Sequence, residues 1–583
     1  MTSRRSNYDK RPFVQASADE RECAAGWTEI AARLQAVIGA SRRVVCVECY
    51  PGVFLEDIEC ALKAALRPAI IIRAENSLKA SSEIERLTQP FLDHDDPVFG
   101  RLTSLNLPDF FDASKLSSAR TAIEHAPGTV LILGTGAAFV APQHDLLIYA
   151  DLGRWEIELR QRRGEIGNWG VANISESPAA KYKRGFFVDW RVADRWKKGL
   201  LDKLDFLLDT SERQTPRMIS GEAFRSALAL AARRPFRVVP YFDPGPWGGH
   251  WMEEVCDLPH NVPNYAWCFD CVPEENSLLL GFGSHRVAIP AIDLVFRHPR
   301  ELLGDSVYAR FGAEFPIRFD FLDTMGGGNL SLQVHPTTRY IREHFGISYT
   351  QDESYYLLDA ADDGAVFLGL KQGISRYEMV HDLRSAQAGD FAFPADKYVN
   401  RWPAKKHDHF LIPAGTIHCS GRNSMVLEIS ATPYIFTFKL WDWGRPGLDG
   451  KPRPIHLDHG IANIDWSRTT DWVRENLIHR VEPLASGPGW REERTGLHEL
   501  EFIETRRHWF REKVPHDTAG GVNVLNLVQG EEVIVESPGA AFEPFILHYA
   551  ETMIVPAAVG HFTIRPHGEA QGTECATIKA YVH

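Results

Sequence analysis

Hydrophobic and polar positions follow two different textures along this chain. From about residue 20 to 225, short apolar runs are separated by stretches with helical spacing. RRVVCVECY is followed by LEDIECALKAAL and AIIIRAE, and later come TVLILG, DLLIYADL and WRVADRWKKGLLDKLDFLLD. Strand and helix signals in alternation predict a parallel sheet flanked by helices. The last of these stretches predicts a long charged helix. From RRPFRVVPYFDPGPWGGHW onward the runs shorten, and Gly/Pro turns and aromatics dominate. That texture predicts an all-β barrel or jelly roll. A final series, HELEFIETRRHWF, VNVLNLVQGEEVIVE, TMIVPAAVGHFTIRP and ATIKAYVH, predicts a second, smaller β barrel. The expected organisation is therefore an α/β domain over 1–225, a β barrel over 226–496 and a C-terminal barrel over 497–583.

The longest apolar stretch, GTVLILGTGAAFVAP, is broken by glycines and threonines and reads as a buried strand and turn. No apolar run reaches the roughly 18 residues that a membrane span needs. The opening MTSRRSNYDKRPFVQASADER contains no apolar segment of the secretory kind. A length of 583 residues calls for several cores, and 44% hydrophobic with 24% charged residues is the balance of a folded soluble protein. The net charge of -13, with no long basic run, argues against nucleic acid as the main partner. Nine scattered cysteines suit a reducing cytoplasm better than a disulfide scaffold. Cys268 and Cys271 have zinc-knuckle spacing, but no second CxxC accompanies them, so they read as small buried residues.

In GGGNLSLQVHP, Gln333 and His335 stand two apart in a β-prone run. Residues i and i+2 of a strand share one face. An amide oxygen and an imidazole on one wall are half of a metal site, or two polar residues on a solvated face. Further candidates follow: Glu353 opens the strand-like run ESYYLLDA, and His418 follows the turn in FLIPAGTIHCSG. Two imidazoles, a carboxylate and an amide oxygen make a mixed N/O set that suits Zn²⁺ or another divalent first-row metal. His344, His407 and His409 lie in charged stretches and read as solvated.

Two resemblances extend this reading. VVCVECYPGVFLEDIECAL resembles the start of the uridine kinase-like P-loop family, and DLLIYADLGRWEIELRQRR resembles a later strand and helix of those kinases. The GxxxxGK[ST] pattern is missing, since Val53, Phe54 and Leu55 follow Gly52. No Lys reaches a phosphate and no Ser/Thr holds Mg²⁺, which implies a degenerate domain without phosphoryl transfer, kept for structural support or ligand binding.

In the β-rich region, LSLQVHP, the glutamate before YYLLDA, GLKQGI, FLIPAGTIHCSG, VLEIS and KLWDWGRPGLDGKPRPIHL occur in the order seen in class I mannose-6-phosphate isomerases, of the cupin family. PGPWGGHW resembles the WGG turn early in that fold. The resemblance implies a zinc site made by Gln333, His335, Glu353 and His418. It also implies interconversion of mannose 6-phosphate and fructose 6-phosphate through an enediolate. Lys439 stands near the family's catalytic arginine, and Gln351 stands where the family has a lysine. Lys439 is thus the candidate cation, or else a solvated strand residue. Lys371 is a candidate anion contact. Glu428 either lines the substrate site, orients a ligand imidazole, or is a satisfied polar residue. Asp442 and Arg445 read as a turn pair at the barrel mouth. Gln351 can hydrogen-bond a sugar hydroxyl but brings no charge, which favours one alternative, an isomerase of a different sugar, phosphorylated or not; the lost phosphate loop supports another, sugar sensing without catalysis.

Overall fold

The computed structural model describes residues 6–39, 43–92, 96–431, 436–496 and 501–583. The chain packs as two compact units. One comprises Phe13–Ala231 with Ser277–Arg297; the other comprises Met1–Pro12, Ala232–Asn276 and His298–His583. These units differ from the contiguous boundaries expected from sequence. SLLLGF and HRVAIP form a hairpin whose first strand pairs in parallel with Phe13–Ser17, which draws Ser277–Arg297 into the α/β unit. The boundary expected at 496/497 adjoins residues 497–500, which lie outside the described residues.

The α/β unit is built on a seven-stranded sheet. Its order is Cys23–Ala25, Arg217–Ser220, Phe206–Asp209, Leu146–Asp151, Val44–Cys49, Val130–Gly134 and Ile70–Arg73. The last five run parallel, and the first two are antiparallel to their neighbours. VVCVEC, VLILG and LLIYAD are buried along their whole length, as expected of parallel strands covered on both faces. The helix Gly26–Ile38 buries Ile30, Leu34 and Ile38, one stripe at four-residue spacing. The long helix expected over WRVADRWKKGLLDKLDFLLD forms only as Trp190–Lys198. Gly199 ends it, and the apolar FLLD is taken into the sheet beside Leu146–Asp151, where burial outweighs helical spacing.

The turn after Val44–Cys49, where a phosphate loop would lie, faces inward. Gly52 sits at φ 108, and a Cβ there would meet Ile157 at 3.1 Å. The buried Arg160 donates to the Gly52 carbonyl (2.8 Å) and the Thr210 carbonyl (2.6 Å), and it stacks on the Phe54 ring. A guanidinium and an isoleucine thus fill the ground a phosphate would need.

Lys197 is fully buried between Asp151 and Asp293, 2.5 Å from each. Burial alone would lower its pKa, but the two carboxylates hold it above the ordinary lysine value. Asp293 comes from the inserted segment, so the triad ties that segment to the sheet. Removing the cation leaves two buried carboxylates facing each other. Lys197→Ala is expected to cost about 3–5 kcal/mol in denaturant unfolding of the full chain. A loss below about 1 kcal/mol would show that the triad contributes no net stability.

The second unit holds two cupin-like pairs of sheets. The first pair joins a six-stranded sheet to a five-stranded one. The six-stranded order is His409–Ile412, Asp352–Ala360, Ser424–Ala431, Arg318–Asp323, Trp267–Cys271, Tyr241–Asp243. The five-stranded order is Val399–Pro403, Ala365–Leu370, His418–Ser420, Leu332–Val334, Phe438–Trp441. The second pair packs six strands from Glu482 onward over four, around Phe510, Leu525, Leu527, Val533, Val535 and Phe562. Its six-stranded sheet already includes Trp490–Gly496. Cys268 and Cys271 are both buried in a strand, with free thiols. No helix among the described residues is long and apolar enough to cross a membrane.

Candidate metal centre

Two rows of paired strands set the site. In the five-stranded sheet Gln333 stands opposite both His418 and Lys439. Directly opposed residues project to the same face. In the six-stranded sheet Tyr355 stands opposite Glu428, and Glu428 opposite Asp320. Glu353 lies two residues before Tyr355, on the same face. His335 follows Gln333 by two and reaches the same interior. The PAGT turn fixes the approach: Gly415 sits at φ 90 and donates its N–H to the His335 carbonyl (3.0 Å), and a Cβ on it would meet the Asn463 carbonyl at 3.1 Å.

Gln333, His335, Glu353 and His418 therefore converge, all buried. His335 Nε2 is 3.1 Å from one Glu353 oxygen, and His418 Nε2 is 2.6 Å from the other. The Gln333 amide lies 3.2 Å from His418 Nε2. The other ring nitrogens are committed. His335 Nδ1 meets the Phe436 carbonyl at 2.7 Å, and His418 Nδ1 meets the Thr416 carbonyl at 2.9 Å. A carbonyl only accepts, so each Nδ1 carries the hydrogen, and each neutral ring presents an Nε2 lone pair. Two lone pairs then face a carboxylate, which is repulsive unless a cation lies between them. Without a metal, protons fill that need. Burial would lower the His335 pKa, yet the Glu353 carboxylate and the Phe436 carbonyl hold it above the ordinary value. Glu353, which burial alone would raise, is held well below the carboxylate range by His335 and His418. The donor set fits a divalent first-row metal, and His335, Glu353 and His418 are the one such group among the described residues.

The other predicted residues are placed differently. Gln351 is spent inside the protein: its oxygen accepts the Phe436 N–H (3.0 Å), and its Nε2 donates to Glu353 (3.1 Å) and reaches Glu428 (3.5 Å). It holds the Glu353 carboxylate in place and has no free end for a sugar. Glu428 is raised well above the usual carboxylate range by burial, then by Asp320 and Glu353. Lys439 flanks Gln333 and has no ion pair or side-chain hydrogen bond among the described residues. Burial, with Arg453 beside it, lowers its pKa to about 8. Lys371 is set apart, donating to the Asp396 carbonyl. Asp442 and Arg445 do pair, at 2.8 Å, and Arg453 and Ser331 join them.

His344 is exposed, and His407 is half-buried against the Tyr356 hydroxyl. His409 is not solvated, contrary to the sequence reading. It is buried beside Tyr356 and Arg507, and burial lowers its pKa to about 3. Its strand is the edge of the six-stranded sheet and is covered by Gly496, where a Cβ would meet the His409 ring at 3.1 Å, which is why a charged sequence context misled.

Sequence reasoning missed Tyr355, whose ring stands edge-on to His418 at 5.8 Å, and the Arg318–Asp320 pair beside Glu428. The i, i+2 rule that joins Gln333 to His335 also joins Glu353 to Tyr355 and Arg318 to Asp320. The carbonyls of Phe436 and Thr416 left no signal, since any residue supplies one.

Two sheets closing on inward His, Glu and Gln donors define a cupin-like barrel with a metal-ligand set. Over this part the chain is homologous to mannose-6-phosphate isomerases. It is 29% identical over 217 residues to the mannose-6-phosphate isomerase of Streptococcus mutans, covering 37% of this chain and 63% of that protein, just under two thirds. It is 25% identical over 345 residues to mannose-6-phosphate isomerase ManA of Bacillus subtilis, covering 58% of this chain and 97% of that one. The crystal structure of the mannose 6-phosphate isomerase from Bacillus subtilis superposes with a TM-score of 0.48 at 18% identity, over 60% of this chain and 100% of that one. Residues 26–233 match a domain of unknown function (DUF8485).

His418→Ala is expected to abolish stoichiometric metal by elemental analysis of purified protein, because a mixed N/O site missing one ligand holds a divalent ion poorly. Metal retained in that variant would reject His418 as a ligand. Gln351→Ala keeps every ligand but frees Glu353, and is expected to weaken metal affinity about 10–100-fold in a chelator competition. Unchanged affinity would leave Gln351 without a positioning role.

Proposed function

We propose that the first barrel is a metal-dependent aldose–ketose isomerase that interconverts mannose 6-phosphate and fructose 6-phosphate. The observation that carries this reading is the convergence of two imidazole lone pairs, a carboxylate and an amide beside an unpaired lysine, in a barrel homologous to proteins named mannose-6-phosphate isomerases. Gln333, His335, Glu353 and His418 would hold the metal, with zinc the first candidate. When bound, it supplies Lewis-acid stabilisation of negative charge on the sugar oxygens. The chain's own residues do the rest. Phe436 and Thr416 orient the imidazoles, and Gln351 and Glu428 brace Glu353. Lys439, with no carboxylate of its own, offers positive charge to the oxygen that becomes anionic as the proton moves between C1 and C2. It does so as a point charge, without a guanidinium's fork. The surrounding sheets bury these side chains, which strengthens each electrostatic contact.

One observation favours a second reading. Gln351 brings no charge, and both ends of its amide are bonded within the protein. A phosphate would find no cation at that position, which supports action on another, unphosphorylated sugar. For the α/β unit, we propose a kinase-like ancestry without phosphoryl transfer, supported by the filled turn at Gly52.

A coupled isomerase assay on the purified chain separates these readings. Chelator-sensitive turnover of mannose 6-phosphate, well above that of free mannose, is the expected result. Turnover of free mannose alone would select the second reading. Bound metal with neither activity would reject both and leave a sugar-binding role. Lys439→Ala is expected to keep its metal and lose at least about 100-fold in kcat, the scale of a removed charge-stabilising group. A near-normal rate would remove Lys439 from the mechanism.

A further inference from the structure

The C-terminal pair of sheets is apolar at one end of its interior and polar at the other. In Val514–Asp517, Val514 and His516 are buried while Pro515 and Asp517 are exposed, so His516 points inward. From the facing sheet, Glu492 and His508 are directly opposed, and so are Arg506 and Lys579. Between them is a cavity of about 250 Å³, lined by Glu492, Arg506, His508, His516, Lys579 and Tyr581. One water needs roughly 10–15 Å³ on this scale, so the space suits a sugar-sized molecule. None of these residues belongs to the metal centre.

The side chains facing this space are under-used. His516 is 5% exposed, and neither ring nitrogen has a hydrogen-bond partner. His508 lies against Glu492 through Nε2 (3.2 Å), but its buried Nδ1 is unmet, as is Asn523 Oδ1. Buried polar groups are normally satisfied, and a set of them around one cavity marks a place for a ligand. Lys579 is 6% exposed and makes no hydrogen bond or ion pair among the described residues. Arg506 differs, because Glu492 and Glu504 already engage it at 3.1 and 2.6 Å. The outer Asp517 is engaged by His561. The cavity therefore keeps one lysine without a direct carboxylate contact, with Glu492 as a nearby counter-charge, beside unmet ring nitrogens and an unmet amide oxygen. That combination matches a ligand with one anionic group and several hydroxyls.

We propose that this cavity is a second binding site, for a small hydroxylated anion such as a phosphorylated or carboxylated sugar. Lys579 takes the anionic group, and His508, His516 and Asn523 take hydroxyls. The site is independent of the metal centre, so it stands or falls separately from the isomerase reading.

The test is calorimetric titration of the full chain with fructose 6-phosphate, inorganic phosphate, gluconate and free mannose. It is run on the wild type, Lys579→Met and His516→Gln, with isomerase activity and thermal melting as controls for folding. One binding event is expected to weaken at least about tenfold in both variants while turnover stays within about twofold of wild type. Lys579→Arg is expected to retain that event. Preference for fructose 6-phosphate and phosphate identifies the anion as phosphate, and preference for gluconate identifies it as carboxylate. Free mannose binding as tightly as the anions would overturn the charge assignment. Variants that melt normally and bind every probe like the wild type would overturn the site.

Discussion

The first barrel depends on one electrostatic constraint: two imidazoles are forced to present lone pairs to a buried carboxylate. The backbone imposes it. The carbonyls of Phe436 and Thr416 take the Nδ1 hydrogens, and the Gly415 turn pins the His335 main chain. Buried as these side chains are, such a cluster is tolerable only around positive charge. Strand register supplies the rest, because Gln333, His418 and Lys439 share one cross-strand row. Candidate metal donors and a lysine are thereby placed on the same wall by strand pairing alone.

This constraint also explains why Gln351 is not a simple loss. A lysine there would bring charge to the substrate side but would compete for Glu353. An amide instead donates to Glu353 and accepts from Phe436, the residue whose carbonyl orients His335. One side chain thus couples the carboxylate ligand to the imidazole ligand. The arrangement favours a rigid candidate donor set, with Lys439 on the strand beside Gln333.

The convergence of Gln333, His335, Glu353 and His418 was legible in the sequence because each sits in a run whose local geometry is simple: QVH on one strand, ESYY on another, PAGTIH after a turn. The alternation of α and β was legible for the same reason. What escaped depended on long-range pairing. Nothing local shows that Asp320 lies opposite Glu428, that Ser277–Arg297 joins the α/β unit, or that FLLD leaves its helical pattern for a sheet. His409 misled because its charged chain neighbours suggest solvent, while in the fold Tyr356, Gly496 and the Arg507 side chain cover it. Burial belongs to the tertiary structure, and a histidine's surroundings cannot be read from the residues beside it.

The two barrels show how similar sheets are put to different uses by what faces inward. In the first, inward donors come as lone pairs and a carboxylate close enough to share one ion. In the second, His508 and His516 have rings 4.3 Å apart, but Lys579 and Arg506 stand with them. Glu492 and Glu504 already engage Arg506, and Lys579 is left without a direct carboxylate contact, which suits an anionic group better than a metal ion. In these two interiors, then, the charged groups beside the histidines, more than the number of histidines, separate a metal-type donor set from an anion-type one.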